Sequence, residues 1–173
     1  MLVQVHGQLL QEGGGRTALE VGPLNERVYG EFLRDRGWVY VSVDRSRRGN
    51  EHDPRSVAFV DMEADLRDLS RFGSGTISLI IVQHVIEEIP EYELALSELA
   101  RVLAPDGVAL LEIPFDPRRE HSERQEPDRY GNVWRFGADL PDSVRTHFRA
   151  LDVVQGEEGT YLGRIMVCRH REP

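Results

Sequence analysis

Glu20, Asp44 and Asp65 each lie at or just beyond an apolar stretch, and His84 follows another. Carboxylates in such places can accept hydrogen bonds from hydroxyls, and a histidine can take or give a proton near neutrality. Glu20 belongs to the segment Thr17 to Glu26, Thr-Ala-Leu-Glu-Val-Gly-Pro-Leu-Asn-Glu. It begins as a short apolar run, turns at Gly22-Pro23 and enters the helical pattern Glu26 to Arg36, so it reads as strand, tight turn and helix. In an open parallel sheet, the crevice beyond the first strand's carboxyl end holds nucleotides. There the backbone comes close to the ligand and a helix N-terminus supplies oriented N–H groups.

The dinucleotide fingerprint needs three glycines at this turn, for the bend, for approach of the pyrophosphate and for helix packing. Only the first, Gly22, is present, and Leu24 and Arg27 hold the other two positions. Side chains there intrude on a pyrophosphate. A nicotinamide or flavin cofactor therefore fits poorly, and a ligand without a pyrophosphate fits better.

The elements that must position these groups follow from hydrophobic patterning. Residues 1–16 form a leader with an apolar-polar segment, Leu2 to Leu10, and a flexible joint at Gly13-Gly14-Gly15. Gly37 closes the first helix, and Trp38 to Asp44 is a strand rich in aromatic and β-branched residues. The polar loop Arg45 to Arg55 leads to a short strand, Val57 to Val60, and then to the acidic stretch Asp61 to Leu66. Thr76 to Val82 is almost continuously apolar, as expected of a central parallel strand, and exits at Gln83-His84. Glu91 to Leu103 reads as an amphipathic helix with apolar Leu94, Leu96, Leu99, Val102 and Leu103, stopped by Pro105-Asp106-Gly107. Val108 to Ile113 is a further buried strand. Asp116 to Phe136 is a polar, arginine-rich loop, long enough to be a candidate substrate lid. Pro141 to Ala150 reads as the last helix, and Leu151 to Val154 with Tyr161 to Arg169 as closing strands around the turn Gly156 to Gly159. The alternation predicts one α/β domain over 1–173, a doubly wound, mostly parallel sheet with an antiparallel C-terminal edge hairpin.

Composition narrows the chemistry. The net charge of −9 disfavours nucleic acid as a partner, and no apolar run is long enough to span a bilayer. No secretory signal is visible, so a cytoplasmic location is the expectation. The chain has no lysine, so all 21 basic residues are arginine. That excludes a Schiff-base lysine and a lysine-bearing phosphate loop. One cysteine, Cys168, and six scattered histidines lack the paired spacing of a zinc site, so no metal is expected. Cys168 reads as a small buried side chain.

The order of these features resembles the class I S-adenosylmethionine-dependent methyltransferases, especially small bacterial enzymes acting on metabolites. Leu19-Glu20-Val21-Gly22-Pro23 matches the start of their first motif, with Leu24 and Glu26 departing from its later glycines. Asp44 stands where an acidic residue binds the ribose hydroxyls, and Asp65-Leu66 matches the step that flanks the adenine. His84-Val-Ile-Glu-Glu88 is similar to the segment after the fourth strand, with Glu88 replacing a second histidine. Arg101 to Gly107 and Trp134 to Asp139 continue the likeness, which covers Thr17 to Val154. The resemblance implies S-adenosylmethionine as cofactor, bound by Glu20, Gly22, Pro23, Asp44, Arg45, Asp65, Leu66 and Gln83. It implies methyl transfer to a small-molecule acceptor; a homo-oligomer is compatible with the sequence. The departures from the glycine motif leave an alternative, a catalytically inactive methyltransferase-like domain serving binding or assembly.

Methyl transfer from a sulfonium depends mainly on alignment, and a general base adds rate if the acceptor is a hydroxyl or amine. His84 and His121 are the candidate bases, and each can equally serve structure. Arg118, Arg119, Arg124 and Arg129 could bind a carboxylate or phosphate on the acceptor, Arg119 and Arg129 foremost, or could instead pair with Glu120, Glu123 and Glu126. Tyr130, Trp134 and Phe136 could wall the acceptor site or pack the lid to the core. Other plain readings stand beside these: Glu20 as a helix cap, Asp44 as an ordinary strand-end carboxylate, Asp65 as an exposed helix start, and Glu87 and Glu88 as a solvated helix entry.

Overall fold

The computed structural model describes residues 12–23, 28–46, 60–155 and 164–170. The expectations for Leu2 to Leu10, Leu24 to Arg27, 57–59 and the turn Gly156 to Gly159 lie outside these residues. Nine strands are described: β1 Thr17–Val21, β2 Val39–Asp44, β3 Met62–Glu63, β4 Ile77–Gln83, β5 Leu103–Glu112, β6 Glu123–Arg124, β7 Trp134–Arg135, β8 Ala150–Gln155 and β9 Arg164–Arg169. The helices are α1 Val28–Arg34, α2 Tyr92–Val102 and α3 Leu140–Arg145, with a 3₁₀ turn at Ile86–Glu88.

Seven strands form one sheet in the order β3-β2-β1-β4-β5-β9-β8, and β6 pairs with β7. The pairs among β1 to β5 are parallel, whereas β9 runs antiparallel to both β5 and β8. The expected α/β sheet with an antiparallel edge hairpin is therefore present. Side-chain alternation divides its two faces. Leu19, Val21, Ile80, Val82 and Leu111 share a core with α2 and α3, while Ala18, Leu79, Ile81 and Leu110 share one with Leu33 of α1. Strands buried on both sides read as continuous apolar runs, which is why β4 and β5 are so visible in sequence. Cys168 is fully buried in the first core, as expected.

Several boundaries differ from the sequence expectation. The α2 helix ends at Val102, and β5 starts at once, carrying Pro105-Asp106-Gly107 within it. Leu103 already pairs with Ile77, and a register shift before Leu79 and Val108 absorbs the extra residues. Helix α2 buries Ala95, Leu96, Leu99 and Val102 and leaves Leu94 outside, so its apolar stripe is rotated from the expected one. The last helix stops at Arg145, because Ala150 already pairs with Arg169 in the edge hairpin. The joint at Gly13 to Gly15 is tied down: the Gly13 and Gly15 N–H groups donate to the Arg36 and Gly37 carbonyls. No helix among the described residues is long and apolar enough to cross a membrane.

Candidate functional site

The chain leaves β1 toward β2 on one side and β4 on the other, so the order reverses between β1 and β4. Such a reversal opens a crevice beyond the strands' carboxyl ends. Gly22 follows β1 there, with φ of 61° and its N–H donating to the Val43 carbonyl at 2.9 Å. A Cβ at Gly22 would lie 2.4 Å from Val85 Cγ2, so the β4 exit and the β1 turn approach as only glycine allows. Pro23 beside it is buried.

At the end of β4, His84 has φ of 53°, a left-handed conformation rare for a residue with a side chain. Two buried carboxylates hold it there. Nδ1 lies 3.2 Å from Glu87 Oε1, and Nε2 lies 3.7 Å from Glu112 Oε1, an ion-pair distance too long for a hydrogen bond. Glu112 first and Glu87 second raise the imidazole pKa to about 10, against the cost of burial. The two carboxylates thus favour the imidazolium form of His84, which has no lone pair for a proton. The expected role as a general base does not fit this arrangement, because the flanking carboxylates stabilise the charged form. Burial opposes ionisation of Glu112, yet His84 and Gln83 hold its carboxyl below the usual range. Gln83 donates to Glu112 Oε2 at 2.8 Å, so its amide is engaged within the cluster.

Two atoms of this cluster, Glu87 Oε2 and Glu112 Oε1, are buried and have no hydrogen-bond partner among the described residues. Glu87 is 4% exposed, contrary to the reading of Glu87 and Glu88 as a solvated entry. Burial, then the Glu87 charge, pushes the Glu88 carboxyl up to about 7, with Arg45 opposing and Asp44 and Asp128 adding to the rise. Sequence reasoning does not single out Glu112, although a carboxylate inside the apolar run Val108 to Ile113 is the signal that would have found it.

Glu20 lies on the α1 side of the sheet. It is 3% exposed, its Oε2 accepts the Tyr40 hydroxyl, and burial raises its pKa to about 7. Its charge also acts on Tyr29 of α1. Asp44 closes β2 half-buried, and burial raises its carboxyl pKa against the pull of the Ser46 and Arg45 backbone N–H groups. The Ser46 N–H reaches Asp44 Oδ1 at a long 3.4 Å. Arg45 is exposed beside it. Asp65 is clamped by Arg67 through contacts of 2.6 to 3.2 Å, which, ahead of all other effects, lowers its pKa. Leu66 is 5% exposed and belongs to the main core.

The segment Asp116 to Phe136 is pinned on both sides. Asp116 N–H donates to the Phe136 carbonyl, Ala138 N–H to Arg119, and Val133 N–H to Glu87 on the 3₁₀ turn. Trp134 donates to the Ile89 and Pro90 carbonyls, stacks on Phe136 at 5.8 Å and meets Tyr92 edge-on. Between this segment and the end of β5 lies a groove of about 710 Å³. Arg119 and Trp134 line it, whereas Arg129 and Tyr130 do not; Arg129 lies over the exposed Tyr130 ring. Arg119 pairs with Glu123, as the pairing reading has it, whereas Arg118 pairs with Asp116, outside the expected partners. His121 is 75% exposed on its side chain, 3.4 Å from Glu120 and 3.9 Å from Asp139, and does not line the groove.

The sequence matches the family model described as a methyltransferase domain over residues 6–151. No curated protein matches it. Among solved structures, the fold is similar to the citrinin polyketide synthase CMeT domain, with a TM-score of 0.63 at 15% identity; the match covers 94% of this chain and 48% of that one, about half its length. It is similar to a TehB-like SAM-dependent methyltransferase from Corynebacterium glutamicum, with a TM-score of 0.61 at 17% identity over 98% of this chain and 86% of that one. It is also similar to the Burkholderia thailandensis 1,6-didemethyltoxoflavin-N1-methyltransferase, solved with 1,6-didemethyltoxoflavin and S-adenosylhomocysteine. There the TM-score is 0.62 at 15% identity, over 95% of this chain and 73% of that one.

Proposed function

The chain belongs to the methyltransferase-domain family, and from that premise we propose that it binds S-adenosylmethionine at the β1/β4 crevice and methylates a small molecule held in the adjoining groove. The observation that carries this reading is Asp44. It stands at the carboxyl end of β2, half-buried, and among the described residues only the Arg45 and Ser46 backbone N–H groups approach its carboxylate, which leaves acceptor capacity for a pair of ribose hydroxyls. The tight approach of Gly22 to Val85 supports the same placement, since it sets the turn that the donor lies against. The relative solved with S-adenosylhomocysteine supports it by fold.

When bound, the cofactor supplies a methyl group already activated on a sulfonium. What the protein adds is alignment, which can account for much of the rate enhancement without covalent help. The His84, Glu87 and Glu112 cluster fixes the β4 exit, and the Val133 to Glu87 hydrogen bond ties the groove wall to that exit. Donor crevice and acceptor groove are thereby held in one rigid frame. Glu20 contributes through the Tyr40 contact beneath the turn, and Asp65 presents a carboxylate already neutralised by Arg67.

Calorimetric titration with S-adenosylmethionine tests the reading. Binding should be tighter than about 1 mM, and Asp44→Ala should weaken it about tenfold, roughly 1.4 kcal/mol. Unchanged affinity in Asp44→Ala removes Asp44 from the site. The missing glycines at Leu24 and Glu26 favour a second reading, an inactive binding or assembly domain, and absence of any donor binding would select it.

A further inference from the structure

The groove differs in charge from the rest of the molecule. In a chain of net charge −9, its lining carries four guanidiniums, Arg118, Arg119, Arg135 and Arg164, against two carboxylates, Asp116 and Asp128. The carboxylates are already engaged. Asp116 holds Arg118 through contacts of 3.0 and 3.1 Å, and Asp128 accepts the Tyr130 and Asn132 N–H groups and the Asn132 amide. Arg119 is bound at 2.6 Å to Glu123, which lies outside the lining. Among the described residues, Arg135 and Arg164 have no carboxylate partner, and Arg164 lies over the Phe115 ring at 5.0 Å.

The rest of the lining includes three aromatic residues, Phe115, Trp134 and Phe136. Phe115 and Phe136 meet in a β-bridge at the groove's base, and Trp134 lies parallel to Phe136 with 8° between ring planes. Phe136 is itself 2% exposed beneath Trp134, so Trp134 and Phe115 are the rings that offer apolar area to a flat ligand, and the two guanidiniums offer planar, bidentate donors to an anion. The groove also adjoins the crevice. It begins at Pro114, two residues beyond the Glu112 that flanks His84.

We propose that this groove binds a flat, apolar acceptor bearing a carboxylate or phosphate, with Arg164 and Arg135 on the anion and the Phe115 and Trp134 rings against its body. The assignment of this ligand as the methyl acceptor rests on the proposed methyl transfer. The arginines that sequence reasoning favours for an anion, Arg119 and Arg129, are not the ones used: the first is paired and the second lies outside the groove.

The test is calorimetric titration of the full chain with four probes that share one ring system: 2-naphthoate, 2-naphthyl phosphate, neutral 2-naphthamide and cationic 2-naphthylmethylamine. At least one of the two anions should bind about tenfold or more tighter than the amide, and the tighter of the two identifies the anion. Added salt should weaken that preference. Arg164→Gln together with Arg135→Gln should bring the ratio close to one with an unchanged thermal midpoint, while Arg124→Gln, outside the groove, should leave it intact. Equal or tighter binding of the amide or amine overturns the proposal. So does a preference that survives loss of both arginines, or failure of every probe to bind below about 10 mM. None of these titrations needs the donor. An anion preference without S-adenosylhomocysteine binding leaves the groove's chemistry and removes methyl transfer; donor binding without the preference does the reverse.

Discussion

Glu20 and His84 both lie at the carboxyl ends of central strands, and burial and neighbours shift both pKa values upward, with different consequences for stability. Glu20 moves from 4.5 to about 7 because burial penalises its charge. Its contribution is full below about pH 4.5 and is lost as pH rises through 7, since the unfolded chain releases the proton first. His84 moves from 6.5 to about 10 because carboxylates stabilise its charge, so its contribution is full below 6.5 and is lost as pH rises through 10. The His84 contribution is still full below pH 6.5, so between about pH 5 and 6.5 the fall comes from the raised carboxyls. The unfolding free energy should fall over that range by up to about 2 kcal/mol from Glu20, with a further fall of the same sign from Glu88, whose carboxyl is raised as far but is less buried and better screened. Glu20→Gln keeps an acceptor for the Tyr40 hydroxyl and carries no charge, so the slope over that range should become clearly shallower in denaturant titrations of the variant, leaving the Glu88 part. A variant with the parent's pH slope would show that Glu20 is not the group responsible. None of this is legible from Glu20 alone, because Tyr40 and Glu112, which decide the two environments, lie on other strands.

At the scale of elements, the segment Asp116 to Phe136 changes most between sequence and structure. Its polarity and length suggest a movable lid, but backbone hydrogen bonds at Asp116, Val133 and Ala138 make it a fixed wall, and the Trp134 ring anchors it to α2. Hydrogen exchange checks this directly. The Val133 and Ala138 amides should exchange far more slowly than unstructured amides, and Trp134→Ala should speed both by releasing the rings of Tyr92 and Phe136. Fast exchange at both positions in the unaltered protein would restore the lid. The sheet is much easier to read, since β4 and β5 are buried on both faces and their apolar runs say so. Element ends are harder. Nothing local in Arg145 to Ala150 stops a helix; what stops it is the pairing of Ala150 with Arg169, far along the chain. Likewise Pro105 to Gly107 looks like a turn, and only the early pairing of Leu103 with Ile77 draws it into β5.

On the scale of the whole molecule, sheet order explains why distant motifs form one site. The reversal between β1 and β4 brings Gly22 against Val85 and puts Asp44, one strand over, on the same rim. Sequence shows these residues at strand ends, which suffices to predict a crevice. It does not show that Leu66 is drawn into the core, or that the groove beside the crevice is lined by Arg164 from the final strand. The central claim is that this crevice receives the donor with its ribose on Asp44. A crystal structure of the protein with S-adenosylhomocysteine tests it most directly. The account predicts the ribose hydroxyls within about 3 Å of the Asp44 carboxylate and the sulfur end pointing toward the Trp134 and Phe115 groove. Ligand density elsewhere on the molecule, with Asp44 untouched, would contradict it.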